Sequence, residues 1–249
     1  MMNHRVVLFV NVKETEYTNN KSRSDMWTDE EKLKILTKSS VPKEFWPLSW
    51  LWTNSEVHNF EPSYTSQYHH PHIPLSYYLH LHPQTQYTYF IEQDVRSTSR
   101  WTETLPSHKP ALLTFQHLCT PPQKWSHLPS CINFPREEMK KGLGAIWGLS
   151  TELILATRKY NASCYYEGFL PTVARMESLT TQFHAHALYR KVGRWRGGGT
   201  DDLCRDGSEP AVPGEWTYHW EGRGAWQFYE EWKTQGGCWP GALVHPIKS

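Results

Sequence analysis

Two histidine pairs carry the spacing that most directly suggests chemistry. His70-Pro71-His72 and His80-Leu81-His82 both read H-x-H. On a strand, positions two apart project to one face, where two imidazoles could hold Zn²⁺ or Cu²⁺. A hairpin joining the pairs would make a four-histidine site from His70, His72, His80 and His82. Pro71 and Pro74 oppose a regular strand there, and no carboxylate or thiolate stands at a supporting spacing. His184 and His186 repeat the pattern inside a predicted helix, where residues two apart point ~200° from each other and cannot chelate together.

The five cysteines, Cys119, Cys131, Cys164, Cys204 and Cys238, are widely spaced and include no C-x-x-C. Neither a zinc ribbon nor a small disulfide scaffold is indicated, so they read as buried or incidental thiols. There is no G-x-S-x-G and no G-x-x-x-x-G-K-[ST]. The glycines Gly142, Gly144 and Gly148 are spaced one residue too long for a dinucleotide fingerprint. No catalytic residue and no cofactor is therefore expected, and the chain does not read as an enzyme.

A different chemistry is offered by Arg190-Lys191-Val192-Gly193-Arg194-Trp195-Arg196-Gly197-Gly198, a basic run with an embedded aromatic ring. Such a segment can bind single-stranded RNA through phosphate contacts and stacking, with Arg190, Lys191, Arg194, Trp195 and Arg196 as the contacts. Asp201 and Asp202 partly cancel its charge. Over the whole chain Lys+Arg 26 balance Asp+Glu 25, so no global field would draw the protein to nucleic acid or anionic lipid.

The elements that would position these residues are unevenly specified. Glycine is absent from Met1 to Lys141, and all 15 follow between Gly142 and Gly241. The first part must therefore build its turns from Pro, Asn, Asp and Ser. This abrupt shift marks a domain boundary, a fusion, or an open reading frame laid across two stretches of differing base composition. Residues 1–38 read as a strand at Val6–Val10 followed by a helix. Thr28 and Glu31 form a capping box at its start, and it ends near Lys38. The opening apolar run is too short for a signal peptide, and no later run reaches the ~20 residues that span a bilayer. A non-membrane, intracellular protein, cytoplasmic or nuclear, is expected.

Residues 39–133 hold eleven prolines and nine of the 14 histidines. They read as irregular, with short strands at Ser76–Leu81 and Gln86–Ile91. Residues 134–192 read as a helical hairpin. Its first helix starts at Pro135, with Met139, Leu143, Ile146, Trp147, Leu153 and Ile154 at helical spacing. The second runs from Pro171 to about Val192. Residues 193–249 form a tail rich in glycine and tryptophan. The fold class expected is mainly irregular with some α, a low-order chain containing a helical hairpin at about 135–192 and a few short strands.

Trp27-Thr28-Asp29-Glu30-Glu31, with Trp46 further along, resembles the opening of a Myb or SANT repeat over about twenty residues. The resemblance implies a helical DNA-binding unit with a DNA-reading helix. It stops at Pro47, which interrupts the second helix, and Thr53–Tyr68 has no Lys or Arg where a DNA-reading helix would need them.

Together these features reveal no dedicated biochemical activity and fit a recently arisen or poorly constrained open reading frame. The alternatives are an interaction protein that binds a protein or RNA partner through the helical pair, the basic run and the tail, and a His-rich metal-binding protein.

Overall fold

The computed structural model describes residues 6–12, 27–39 and 41–184, apart from 67, 117, 122, 124 and 161–163, and then 229–230, 233–234 and 243–245. The chain forms two units, Met1–Tyr78 and Leu79–Ser249. The architecture is mixed α/β, with helices and several short strands in small sheets joined by irregular segments.

The first unit is a strand–helix–strand crossover. Strand β1 (Leu8–Val12) pairs in parallel with β2 (Ser49–Thr53), with Val10 opposite Leu51. Parallel neighbours need a crossover, and helix α1 (Asp29–Lys38) supplies it. The alternation of β1 turns Val10 and Val12 to one face, where they pack with Leu51, Trp27, Ile35 and Leu36. The opposite face sets Phe9 against Trp50 at 4.9 Å and Tyr78 at 5.1 Å.

Helix α1 starts as its sequence predicts. The Thr28 hydroxyl accepts from the Glu31 amide, and the Glu31 carboxylate accepts from the Thr28 amide at 2.8 Å. Trp27 and Trp46 both join the core of this unit. The Myb-like expectation ends there, because Lys43–Leu48 is a 3₁₀ turn that feeds β2 instead of a second long helix. A second capping box, Thr53 with Glu56, starts α2 (Asn54–Phe60).

Helix α3 (His72–Leu81) corrects one expectation, since Ser76–Leu81 is helical and not a strand. Pro74 lies in its first turn, where a missing backbone N–H costs nothing. Ile73, Leu75, Tyr78 and Leu79 are all buried, so the apolar residues show no single helical stripe.

The second unit is built on a four-stranded sheet of order β3-β6-β5-β7. Its strands are β3 (Tyr87–Ile91), β5 (Leu112–Thr114), β6 (Ile146–Ser150) and β7 (Thr181–Phe183). β6 is antiparallel to both β3 and β5, and β7 is parallel to β5. A separate two-stranded pairing joins β4 (Arg96–Ser97) to β8 (Leu243–Val244). Helix α4 (Trp101–Thr104) lies between β4 and β5.

Among the described residues of 135–192, two strands, β6 and β7, and two shorter helices stand where the helical hairpin is expected, and residues 185–192 lie outside the described residues. β6 occupies the middle of the supposed first helix, and α5 (Thr151–Thr157) begins only after it, capped by the Ser150 hydroxyl. Helix α6 (Tyr166–Met176) contains Pro171 instead of starting at it. Ile146 and Trp147 are fully buried, as an interior strand covered on both faces requires. Gly148 permits this closeness, because a Cβ there would lie 2.3 Å from the Tyr87 phenol and 2.9 Å from Leu113 Cβ.

The cysteine reading is also corrected. Cys131 and Cys164 form a disulfide that ties the 3₁₀ turn Leu128–Cys131 to the segment entering α6. Cys119 is disulfide-bonded as well.

Candidate metal centre

Strand β3 ends at Ile91, and the next residue, Glu92, still holds the sheet by donating its amide to the Ala145 carbonyl at 2.9 Å. The chain then passes through Asp94 into β4. The antiparallel register of β4 and β8, Arg96 opposite Val244 and Ser97 opposite Leu243, carries His245 to the level of Val95. Val95 and Leu243 are buried together with Leu113, Phe115, Ala145 and Ile146, which anchors both short strands in the core. Three ligand-type side chains thus converge from distant parts of the sequence.

His245 Nε2 lies 3.2 Å from Glu92 Oε2 and 3.5 Å from Asp94 Oδ1. Among the described residues, these three form a group whose ligand atoms all lie within 4.8 Å of one another. The His245 side chain is 10% exposed, against 31% for Glu92 and 20% for Asp94, so the imidazole is fixed while solvent reaches the carboxylates. Around a cation with ligand bonds of ~2.1 Å, neighbouring ligand atoms sit ~3.0–3.4 Å apart. The His245–Glu92 and His245–Asp94 separations are close to that edge length, which places the three side chains within reach of a shared divalent cation.

The surroundings of Glu92 are as ordered as the triad. Tyr166, the first residue of α6, donates its phenol to Glu92 Oε1 at 2.7 Å. Its ring is buried beside Trp147 (5.6 Å) and Phe90 (6.5 Å). Burial first, and then the Glu167 and Glu92 carboxylates, push this phenol well above its ordinary range, so it remains a donor. Gly144 makes room for it, since a Cβ there would lie 2.1 Å from the Tyr166 ring.

The neighbouring Glu167 accepts from the Gly144 amide at 3.0 Å. Burial raises its carboxyl to about 7, against the opposing pull of that hydrogen bond and of Lys141. Lys141 is itself buried, 5.2 Å from the Trp125 ring centre, and desolvation lowers its amine.

The histidines singled out from the sequence are placed differently. His70 and His72 belong to the first unit, both buried, with ring centres 5.9 Å apart. Burial, followed by the charge of His70, lowers His72 to about 3. His72 and His80 stand at opposite ends of one helix, about 12 Å apart along its axis, so the four imidazoles do not share an ion as a hairpin would allow. His82 follows that helix. His184 approaches Phe115 at 5.2 Å, while His186 and the basic run Arg190, Lys191, Arg194, Trp195 and Arg196 lie outside the described residues.

Sequence reading missed Glu92, Asp94 and His245. The local signal was a Glu-x-Asp directly after a correctly placed strand, and nothing in the sequence linked it to a histidine 153 residues away.

Residues 2–109 match a family described as "Protein of unknown function (DUF3405)". The matched segment contains Glu92 and Asp94 and leaves His245 outside. No curated protein matches the chain. Among the described residues, no helix is long and apolar enough to cross a membrane.

Proposed function

We propose that the second unit binds one divalent transition-metal cation through Glu92 Oε2, Asp94 Oδ1 and His245 Nε2, and uses it as a Lewis acid or to activate a water. The observation that carries this reading is the convergence of two carboxylates and a buried imidazole at the spacing of a coordination edge. Two oxygens and one nitrogen suit Mn²⁺ or Zn²⁺ better than a soft-ligand metal. Structural zinc sites close their shell with four protein ligands, whereas three leave a position for water or substrate. The metal-binding alternative is thus retained with a different ligand set. The disulfides further favour an oxidising compartment as the working environment over the cytoplasm or nucleus.

The test is a titration of the full chain with Mn²⁺ and Zn²⁺, followed by calorimetry and elemental analysis after desalting. One equivalent bound by the native chain, with affinity reduced at least 100-fold in Asp94→Asn and His245→Ala at unchanged circular dichroism, supports the proposal. If the three residues form only a hydrogen-bonded ion triad, the native chain takes up no metal, and the proposal fails.

A further inference from the structure

We infer that Tyr166 is a positioning residue for this cation site, fixing which oxygen of Glu92 is offered to the metal; the inference rests on the metal reading above. A carboxylate can bind a cation through one oxygen or both. The two oxygens of Glu92 have different partners: Oε1 accepts from the Tyr166 phenol at 2.7 Å, and Oε2 lies 3.2 Å from His245 Nε2. With Oε1 held by the phenol, the Glu92 plane is turned so that Oε2 faces the cation, giving monodentate ligation and keeping a coordination position for a further ligand. Outer-shell hydrogen bonds of this kind orient metal ligands, and losing one typically costs about 10–100-fold in affinity.

The arrangement is built into the backbone. Tyr166 opens α6, two residues after Cys164, whose disulfide to Cys131 holds the approach to that helix. The Tyr166 ring occupies the space that any side chain at position 144 would need. Gly142 and Gly144 also donate to the Glu167 carbonyl and carboxylate at 3.0 Å each, so the 142–144 segment grips the start of α6. Glycine at 144 is therefore required for the Tyr166–Glu92 contact, because of the space the Tyr166 ring occupies.

The decisive variant is Tyr166→Phe, which keeps the ring and removes only the hydroxyl. Mn²⁺ affinity should fall about 10–100-fold while the melting temperature of the metal-free protein changes little. Co²⁺ provides a signature that a merely structural role would not move. If Glu92 swings to bidentate ligation, the visible absorption of the Co²⁺-loaded variant weakens toward a higher-coordinate pattern relative to the native chain. Gly144→Ala, which displaces the ring without altering a polar group, should reproduce both effects. Tyr160→Phe is the control, because its phenol also donates to a carboxylate, Glu177 at 2.6 Å, and should leave metal binding unchanged. Native Mn²⁺ affinity and an unaltered Co²⁺ spectrum in Tyr166→Phe overturn the positioning role and leave the metal site standing. Failure of the native chain to bind Mn²⁺, Zn²⁺ or Co²⁺ overturns both.

Discussion

The pair His70 and His72 in the first unit and the triad Glu92, Asp94 and His245 in the second use ligand-type side chains in opposite ways. The pair is close in sequence, almost fully enclosed, and held near other rings. Burial drives His72 toward its neutral form. The triad is assembled across the chain, combines opposite charges when His245 is protonated, and leaves its carboxylates partly open to solvent. Proximity in sequence thus accompanies a packed core, and among the described residues the candidate reactive site arises where a sheet end and a distant strand meet. Spacing alone, which favoured the H-x-H pairs, does not distinguish these cases.

The sharpest way to break the contrast is to exchange the roles of the two groups. His245→Ala should abolish Mn²⁺ uptake measured by calorimetry, whereas His70→Gln and His72→Gln should leave it within about twofold of native. Equal losses from both groups would mean that the triad is not the site.

The disulfide provides the next largest effect. Cys131 and Cys164 are 33 residues apart, and closing a loop of that size restricts the unfolded chain by about 3–4 kcal/mol. Cys131→Ser with Cys164→Ser should shift denaturation of the second unit by that order in a urea titration, with the first unit little changed.

The pH responses should also run in opposite directions. His72 titrates near 3 when folded and near 6.5 when unfolded. The unfolded chain therefore takes up the extra proton between those values, and stability of the first unit falls as the pH drops through the window. The loss is about 3 kcal/mol between pH 7 and pH 4, and His72→Leu should flatten it. Glu167 has its folded value raised to about 7 from 4.5. It stabilises the second unit fully below pH 4.5, and that contribution is lost as the pH rises through 7. Glu167→Gln should remove this slope. Urea midpoints measured from pH 4 to 8 separate the two.

The smallest effect belongs to the cap of α1. Thr28→Ala removes the acceptor for the Glu31 amide and should cost about 1 kcal/mol, confined to the first unit.

Local signals were legible wherever one element owned them. The apolar run at Val6–Val10 anticipates β1, the Thr28–Glu31 box fixes the start of α1, and Gln86–Ile91 anticipates β3 within a residue. The region after Pro135 misleads because two elements share one pattern. Ile146 and Trp147 are apolar as part of a strand buried on both faces, and Leu153 and Ile154 as part of a helix, and together they mimic a single helical stripe. Helix α3 misleads in the converse way, since burial around much of its surface erases the polar face that would mark it as a helix. The disulfide and the triad were not legible for a common reason. Both depend on which distant segments pair, and the spacing of Cys131 with Cys164, or of Glu92 with His245, carries no periodic trace of that pairing.

The pairing of β4 with β8 also sets an order in time. Glu92 emerges from the ribosome 153 residues before His245. At about 5–20 residues per second, roughly 8–30 s separate the two carboxylates from their imidazole. During that interval the nascent protein holds only part of the proposed site, so a cation captured early would meet carboxylates alone and exchange readily. For the cation proposed above, the full ligand set would exist only once His245 docks beside Val95, so the finished fold, and not the order of encounter, would choose the ion.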